Sequence, residues 1–173
     1  MKTFLMLCLI ALITGNSFAQ KGTSNYLNEK GGFKCFILGE HISKYSDKVE
    51  VSKDEAYTYS VKDSTLLTIG TDIKLNFIFL KTYNDSIYSI SIMAKPEYAN
   101  KLRKTFIAAY GAWSYRPNQF MDKYYWLSDG NKIELFLNAE NSKWCYATFK
   151  DMELDLKKGK AKHEATQEAI NDL

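Results

Sequence analysis

Apolar residues recur along this chain with several different periods. The first apolar stretch runs unbroken from Phe4 to Ile13, follows Lys2, and gives way to a polar segment ending Ser17-Phe18-Ala19. A basic start, a short apolar run and small residues three before and one before a cut after Ala19 predict a secretory signal peptide over residues 1–19. The run is about half the roughly 20 apolar residues that a membrane-spanning helix needs, so no span is expected. Residues 20–32, QKGTSNYLNEKGG, are polar and glycine-bearing and read as a flexible leader.

Beyond the leader the pattern alternates between strand and helix. The run FKCFIL, ended by Gly39, suits a buried strand. Ile42, Tyr45 and Val49 recur at helical spacing and predict a short amphipathic helix. Tyr57, Tyr59 and Val61 then alternate, and residues 66–80 are rich in β-formers with a break near Gly70 to Asp72. Tyr83 to Ser86 supplies turn chemistry before a second strand in which Tyr88, Ile90 and Ile92 share a face, which makes a hairpin.

Pro96 and Glu97 open the strongest helix, because proline is tolerated at the first helical position and an acid there suits the dipole. Tyr98, Leu102, Phe106 and Ala109 form its apolar stripe, and Gly111 ends it as a left-handed cap. The loop GAWSYRPNQFMD leads into three further strands, YYWLS, KIELFLN and KWCYATF. Asp129-Gly130-Asn131 joins the first two and Ala139 to Ser142 the next, a meander in which Asp-Gly is a strong hairpin signal. Residues 151–173 are charged and alanine-bearing, and read as a helical or frayed tail. Strands and helices do not alternate regularly, so the expected class is α+β: an antiparallel β-sheet with two main helices packed on one face, in a single domain over residues 33–150.

Charge and cysteine content narrow the function. Loss of Lys2 with the signal lowers the formal net charge from +3 to +2, and acids and bases are interleaved, so no nucleic-acid footprint is present. Export places the protein in a bacterial periplasm or outside the cell, where disulfides form. Cys8 leaves with the signal, and Cys35 and Cys145 remain. Cys35 and His41 are poor candidates for a catalytic pair: along a strand, at about 3.3 Å per residue, they lie up to roughly 20 Å apart unless the chain folds back at Gly39. Cys35 shares a face with Phe33 and Ile37, and Cys145 with Ala147 and Phe149, so both could enter one core. A Cys35–Cys145 bridge closing nearly the whole domain would contribute about 4 to 5 kcal/mol on the chain-entropy estimate. The alternative is two buried thiols acting as small hydrophobes.

No metal or cofactor is expected. His163-Glu164-Ala165-Thr166-Gln167 lacks the second histidine of a zinc-protease helix, and Asp151 to Asp155 begins like a calcium loop but has Leu156 and Lys162 where glycine and an acid are needed. A carboxylate pair for glycoside hydrolysis stays open, since its partners are set in space. Glu134, opposite Ile133, Leu135 and Leu137, reads as a water-facing residue of a one-sided sheet.

Aromatic residues make up 14% of the chain, with twelve tyrosines, and they concentrate in YGAWSYRPNQFMDKYYW. Tyr, Trp and Arg dominate binding hot spots, so Trp113, Tyr115, Arg116 and Tyr125 are candidate recognition residues, with packing as the competing role.

The helix ending in Tyr110-Gly111, the Trp126 strand, the Asp129-Gly130 turn and the strands Ile133 to Leu137 and Cys145 to Phe149 resemble the helix-plus-meander unit of β-lactamase-inhibitor-like and small outer-membrane assembly proteins. The lipid-anchor cysteine of the assembly lipoproteins is missing here. The ending SFAQ, and the chain as a whole, also resemble small exported Bacteroidetes proteins. The resemblance implies a binding scaffold and not an enzyme. The expected function is therefore a non-catalytic exported binding protein, inhibitor-like or immunity-like, whose partner is another protein met through the aromatic loop or an exposed sheet face. The alternatives are a small cell-wall or glycan-active hydrolase and a structural envelope module.

Overall fold

A computed structural model describes residues 24–140 and 143–172. The expected signal peptide, leader residues 20–23 and two residues of the last connecting turn therefore lie outside the described residues.

The chain begins with helix α1 (Ser24–Lys30) and a two-residue hairpin of β1 (Gly32–Phe33) and β2 (Phe36–Ile37). A short 3-10 turn at Ile42–Tyr45 leads into β3 (Val49–Val51), β4 (Thr58–Val61), β5 (Thr68–Ile69), β6 (Ile73–Tyr83) and β7 (Ser86–Ala94). Helix α2 (Ala99–Tyr110) follows, then β8 (Lys123–Leu127), β9 (Ile133–Asn138), β10 (Cys145–Asp151) and helix α3 (Met152–Asn171). One antiparallel sheet has the order β3-β4-β6-β7-β10-β9-β8, with β5 paired to β6. The class is α+β with an antiparallel sheet, as expected. Helix α2 carries the chain from β7 to the far edge, and the meander returns so that β10 seals against β7, with Ile90 opposite Phe149 and Ile92 opposite Ala147.

The core forms because one residue in two along each strand is apolar. Leu80, Ile90, Ile92, Leu135, Leu137, Ala147 and Phe149 are all fully buried on one face. Leu102, Phe106 and Tyr110, at helical spacing, press α2 onto it, and Phe106 meets Trp126 edge to face at 6.0 Å and Phe149 at 6.0 Å. Gly111 ends α2 with φ 80° and ψ −164°, a positive-φ conformation beyond the left-handed helical cap expected, and its N–H bonds Ile107 O.

Several sequence expectations need correction. Ser24–Lys30 of the expected leader form α1, whose Leu27 is fully buried in the core beside α2. The predicted strand FKCFIL is a tight hairpin, since Lys34 takes φ 55° and Phe33 pairs with Phe36 across the turn. Gly32 permits that closure, because a Cβ there would fall 2.2 Å from Phe36 O. Both phenylalanines point inward, so Cys35 is left exposed at the tip while Cys145 is buried, and the two are free thiols. The expected disulfide fails because a turn interrupts the alternation that would have put Cys35 on the core face. The helix expected over residues 42–49 is a four-residue 3-10 turn, although Ile42, Tyr45 and Val49 are all buried. Tyr57 precedes its strand at φ 57° and is exposed, and a bulge near Thr82 takes Tyr88 off the Ile90 and Ile92 face.

Helices α1 and α2 share the core face. The tail is helical: Asp151 caps α3 by accepting from the N–H groups of Glu153 at 3.0 Å and Leu154 at 2.9 Å. Lys150, on the opposite face of the sheet, pairs with Asp155 at 3.5 Å, so α3 crosses one end of that second face. No described helix is long and apolar enough to cross a membrane.

Candidate functional site

In a sheet with one buried face, the outward positions are ordinarily polar. Here several of them are aromatic. The register places Tyr125 opposite Phe136, Phe136 opposite Thr148, Thr148 opposite Ser91 and Ser91 opposite Phe79, a row across β8, β9, β10, β7 and β6. A second row runs through Asn138, Tyr146, Met93 and Phe77. Phe77 is 46% exposed, and Tyr125, Phe136, Tyr146, Phe79 and Met93 are half-buried.

The rings meet at mixed angles: Phe77 and Phe79 stack at 5.6 Å and 20°, and other pairs are tilted. Tyr125 and Phe136 are 4.7 Å apart at 31°, Phe136 and Tyr146 5.8 Å at 71°, and Phe77 meets Trp144 at 6.0 Å and 70°. Polar groups are interspersed: Asn138 donates to the Tyr146 hydroxyl at 3.0 Å, and the Ser91 and Thr148 hydroxyls bond at 3.1 Å. Glu134 lies on this same face, opposite Lys150.

The four aromatic-loop candidates divide between the two faces. Tyr115 bridges to Tyr125 at the free edge of β8 and stacks on its ring on the open face. Burial first, and then the Glu134 carboxylate, hold the Tyr115 hydroxyl above its ordinary pKa. Trp113 lies on the other side, 5.1 Å from the core ring Tyr124. Arg116 is a staple of the loop: its guanidinium sits 4.7 Å from the Tyr124 ring and donates to Met121 O at 2.5 Å and Gln119 O at 3.2 Å. Packing therefore accounts for Trp113 and Arg116, while Tyr115 and Tyr125 belong to the exposed platform.

Sequence reasoning missed Phe77, Phe79, Met93, Phe136 and Tyr146. Their signal was a loss of alternation, in NFIFL and ELFLN, where apolar residues occupy both faces of a strand.

The other reactive side chains do not assemble. His41 caps its 3-10 turn, with Nδ1 accepting from the Ser43 N–H at 3.3 Å and Nε2 3.9 Å from Asp85. Burial pushes the Cys145 thiol up to about 11, which keeps it protonated and unreactive. Among the described residues no three His, Cys, Asp or Glu side chains gather as a metal site. Comparisons of the chain with protein-family models, curated proteins and solved structures found no match.

Proposed function

We propose that this is an exported, non-catalytic binding protein that recognises another folded protein through the aromatic face of its sheet. The observation that carries this reading is two runs of touching rings, Tyr115-Tyr125-Phe136-Tyr146 and Phe79-Phe77-Trp144, with Met93, Ser91 and Thr148 between them, on a face that α3 covers only at one end. Tyrosine and phenylalanine on a rigid sheet offer large contact area at small entropic cost, and the serine, threonine and tyrosine hydroxyls add adaptable hydrogen bonds, the same division of labour as in antibody paratopes. Glu55, which lines a cleft beside α3 together with Asp85, is held below the ordinary carboxylate range by its hydrogen bond to Lys81 and is a poor proton donor.

A benzophenone amino acid placed at Phe136, and separately at the exposed Lys104 of α2, tests the reading in an extract of the source cell's envelope. One discrete protein adduct from position 136 and none from 104 is expected. Absence of an adduct at 136, the same adduct at both positions, or an adduct with a second copy of this chain would overturn it.

A further inference from the structure

Thr58 is only 4% exposed, yet its Oγ1 has no hydrogen-bond partner among the described residues. It lines a cleft of about 430 Å³ between the β6–β7 hairpin, the segment before β4 and helix α3. The charged groups there are Glu55, Lys81, Asp85 and Lys158. Glu55 is committed to Lys81 at 2.7 Å, and Asp85 faces His41 at 3.9 Å. The Thr58 hydroxyl is close enough to Glu55 to add to the depression of its pKa, behind the larger effect of Lys81, but not in hydrogen-bond geometry.

Lys158 is different. Its Nζ donates to the Tyr88 hydroxyl at 2.6 Å and stands 4.5 Å from the centre of that ring, and no carboxylate of the described residues pairs with it. An ammonium has three donors, so two remain for a ligand. Tyr57 and Tyr83 supply further aromatic surface to the walls. Tyr57 holds φ 57°, a costly conformation for a bulky residue, with its side chain at the mouth.

We propose that this cleft binds a small organic anion, a carboxylate or phosphate monoester on a planar apolar body. Lys158 Nζ holds the oxyanion, with Thr58 in the wall behind it, and the tyrosine rings hold the body. The site is separate from the aromatic band, so it stands or falls independently of protein recognition there.

The test is an amide-shift titration of the ¹⁵N-labelled exported chain with phenyl phosphate, benzoate and inorganic phosphate. Saturable shifts confined to Thr58, Thr82, Tyr88 and their neighbours are expected with at least one of the two aromatic anions. That anion should bind about tenfold more tightly than inorganic phosphate. Saturation by benzoate alone identifies a carboxylate ligand, and by phenyl phosphate alone a phosphate ester. Lys158→Met should weaken binding about tenfold and Lys158→Arg should restore it, as a charge-assisted contact requires. No saturation by either aromatic anion at concentrations on the order of 10 mM would overturn the proposal. So would equal affinity for inorganic phosphate, or unchanged affinity in Lys158→Met.

Discussion

Tyr115 lies flat on Tyr125, with ring centroids 4.4 Å apart and planes 8° from parallel. The backbones of the two residues bridge as well: Tyr125 N donates to Tyr115 O at 3.1 Å and Ser114 N to Tyr125 O at 2.6 Å. The loop thus bridges to β8 at one position, covers part of the edge that would otherwise invite sheet-to-sheet association, and extends the open face by one ring. The far edge is the short β3, where Val51 is 66% exposed.

Arg116 fixes that loop, and its removal should be felt as stability and not as recognition. Arg116→Ala loses two charge-assisted bonds to main-chain carbonyls and a ring contact, and should lower unfolding stability by about 1 to 3 kcal/mol. Arg116→Lys should not restore it, because an ammonium cannot reproduce the planar fork over Tyr124. Denaturant midpoints of the three proteins provide the comparison.

The two cysteines should react very differently. In the native chain from residue 20 onward, a thiol reagent should modify Cys35 alone, because Cys145 is buried with its thiol pushed up to about 11. Unfolding without reductant should expose a second thiol. Finding none in the unfolded, unreduced protein would restore the disulfide.

Gly32 should tolerate no side chain. A Cβ 2.2 Å from Phe36 O forces the β1–β2 hairpin open and lifts Phe33 and Phe36 from the core. Gly32→Ala is expected to cost about 2 to 4 kcal/mol, read from the denaturation midpoint.

Stability should fall on the alkaline side. Burial pushes Tyr110 up to about 12, and burial, with the hydrogen bond to Glu40 behind it, does the same to Tyr45. Each raised pKa means that the folded state holds its proton more tightly than the unfolded chain. The contribution is complete below the ordinary value of 10.0 and is lost as pH rises through about 12. Cys145 adds the same trend from 9.0 to about 11. The urea midpoint should therefore drop between about pH 9 and about pH 12, and Tyr110→Phe should flatten the upper part of the drop.

Sequence patterning was informative where burial is one-sided. The α2 stripe of Leu102 and Phe106, the break before β6, the hairpin at Asn84 and Asp85 and the Asp129-Gly130 turn all stand as expected. It failed at residues 33–37, where two inward phenylalanines three apart fit a tight turn as well as a strand, and only the Phe33–Phe36 pairing decides. Leader residue Leu27 was missed because a single leucine in a polar stretch carries no period, and its burial comes from docking against α2 and the meander. The aromatic band was illegible for a related reason. Phe77, Met93, Phe136 and Tyr146 belong to four strands, and their adjacency depends on β10 inserting between β7 and β9.

The most direct test of the aromatic face is the affinity of the protein captured at position 136 for single variants. Tyr125→Ala and Phe77→Ser, with unfolding midpoints near wild type, should each weaken binding at least about tenfold, or about 1.4 kcal/mol. Trp113→Ala, which alters the opposite side of β8, should bind like wild type. Wild-type affinity in both face variants, or a comparable loss in Trp113→Ala, would contradict the assignment of the open sheet face as the recognition surface.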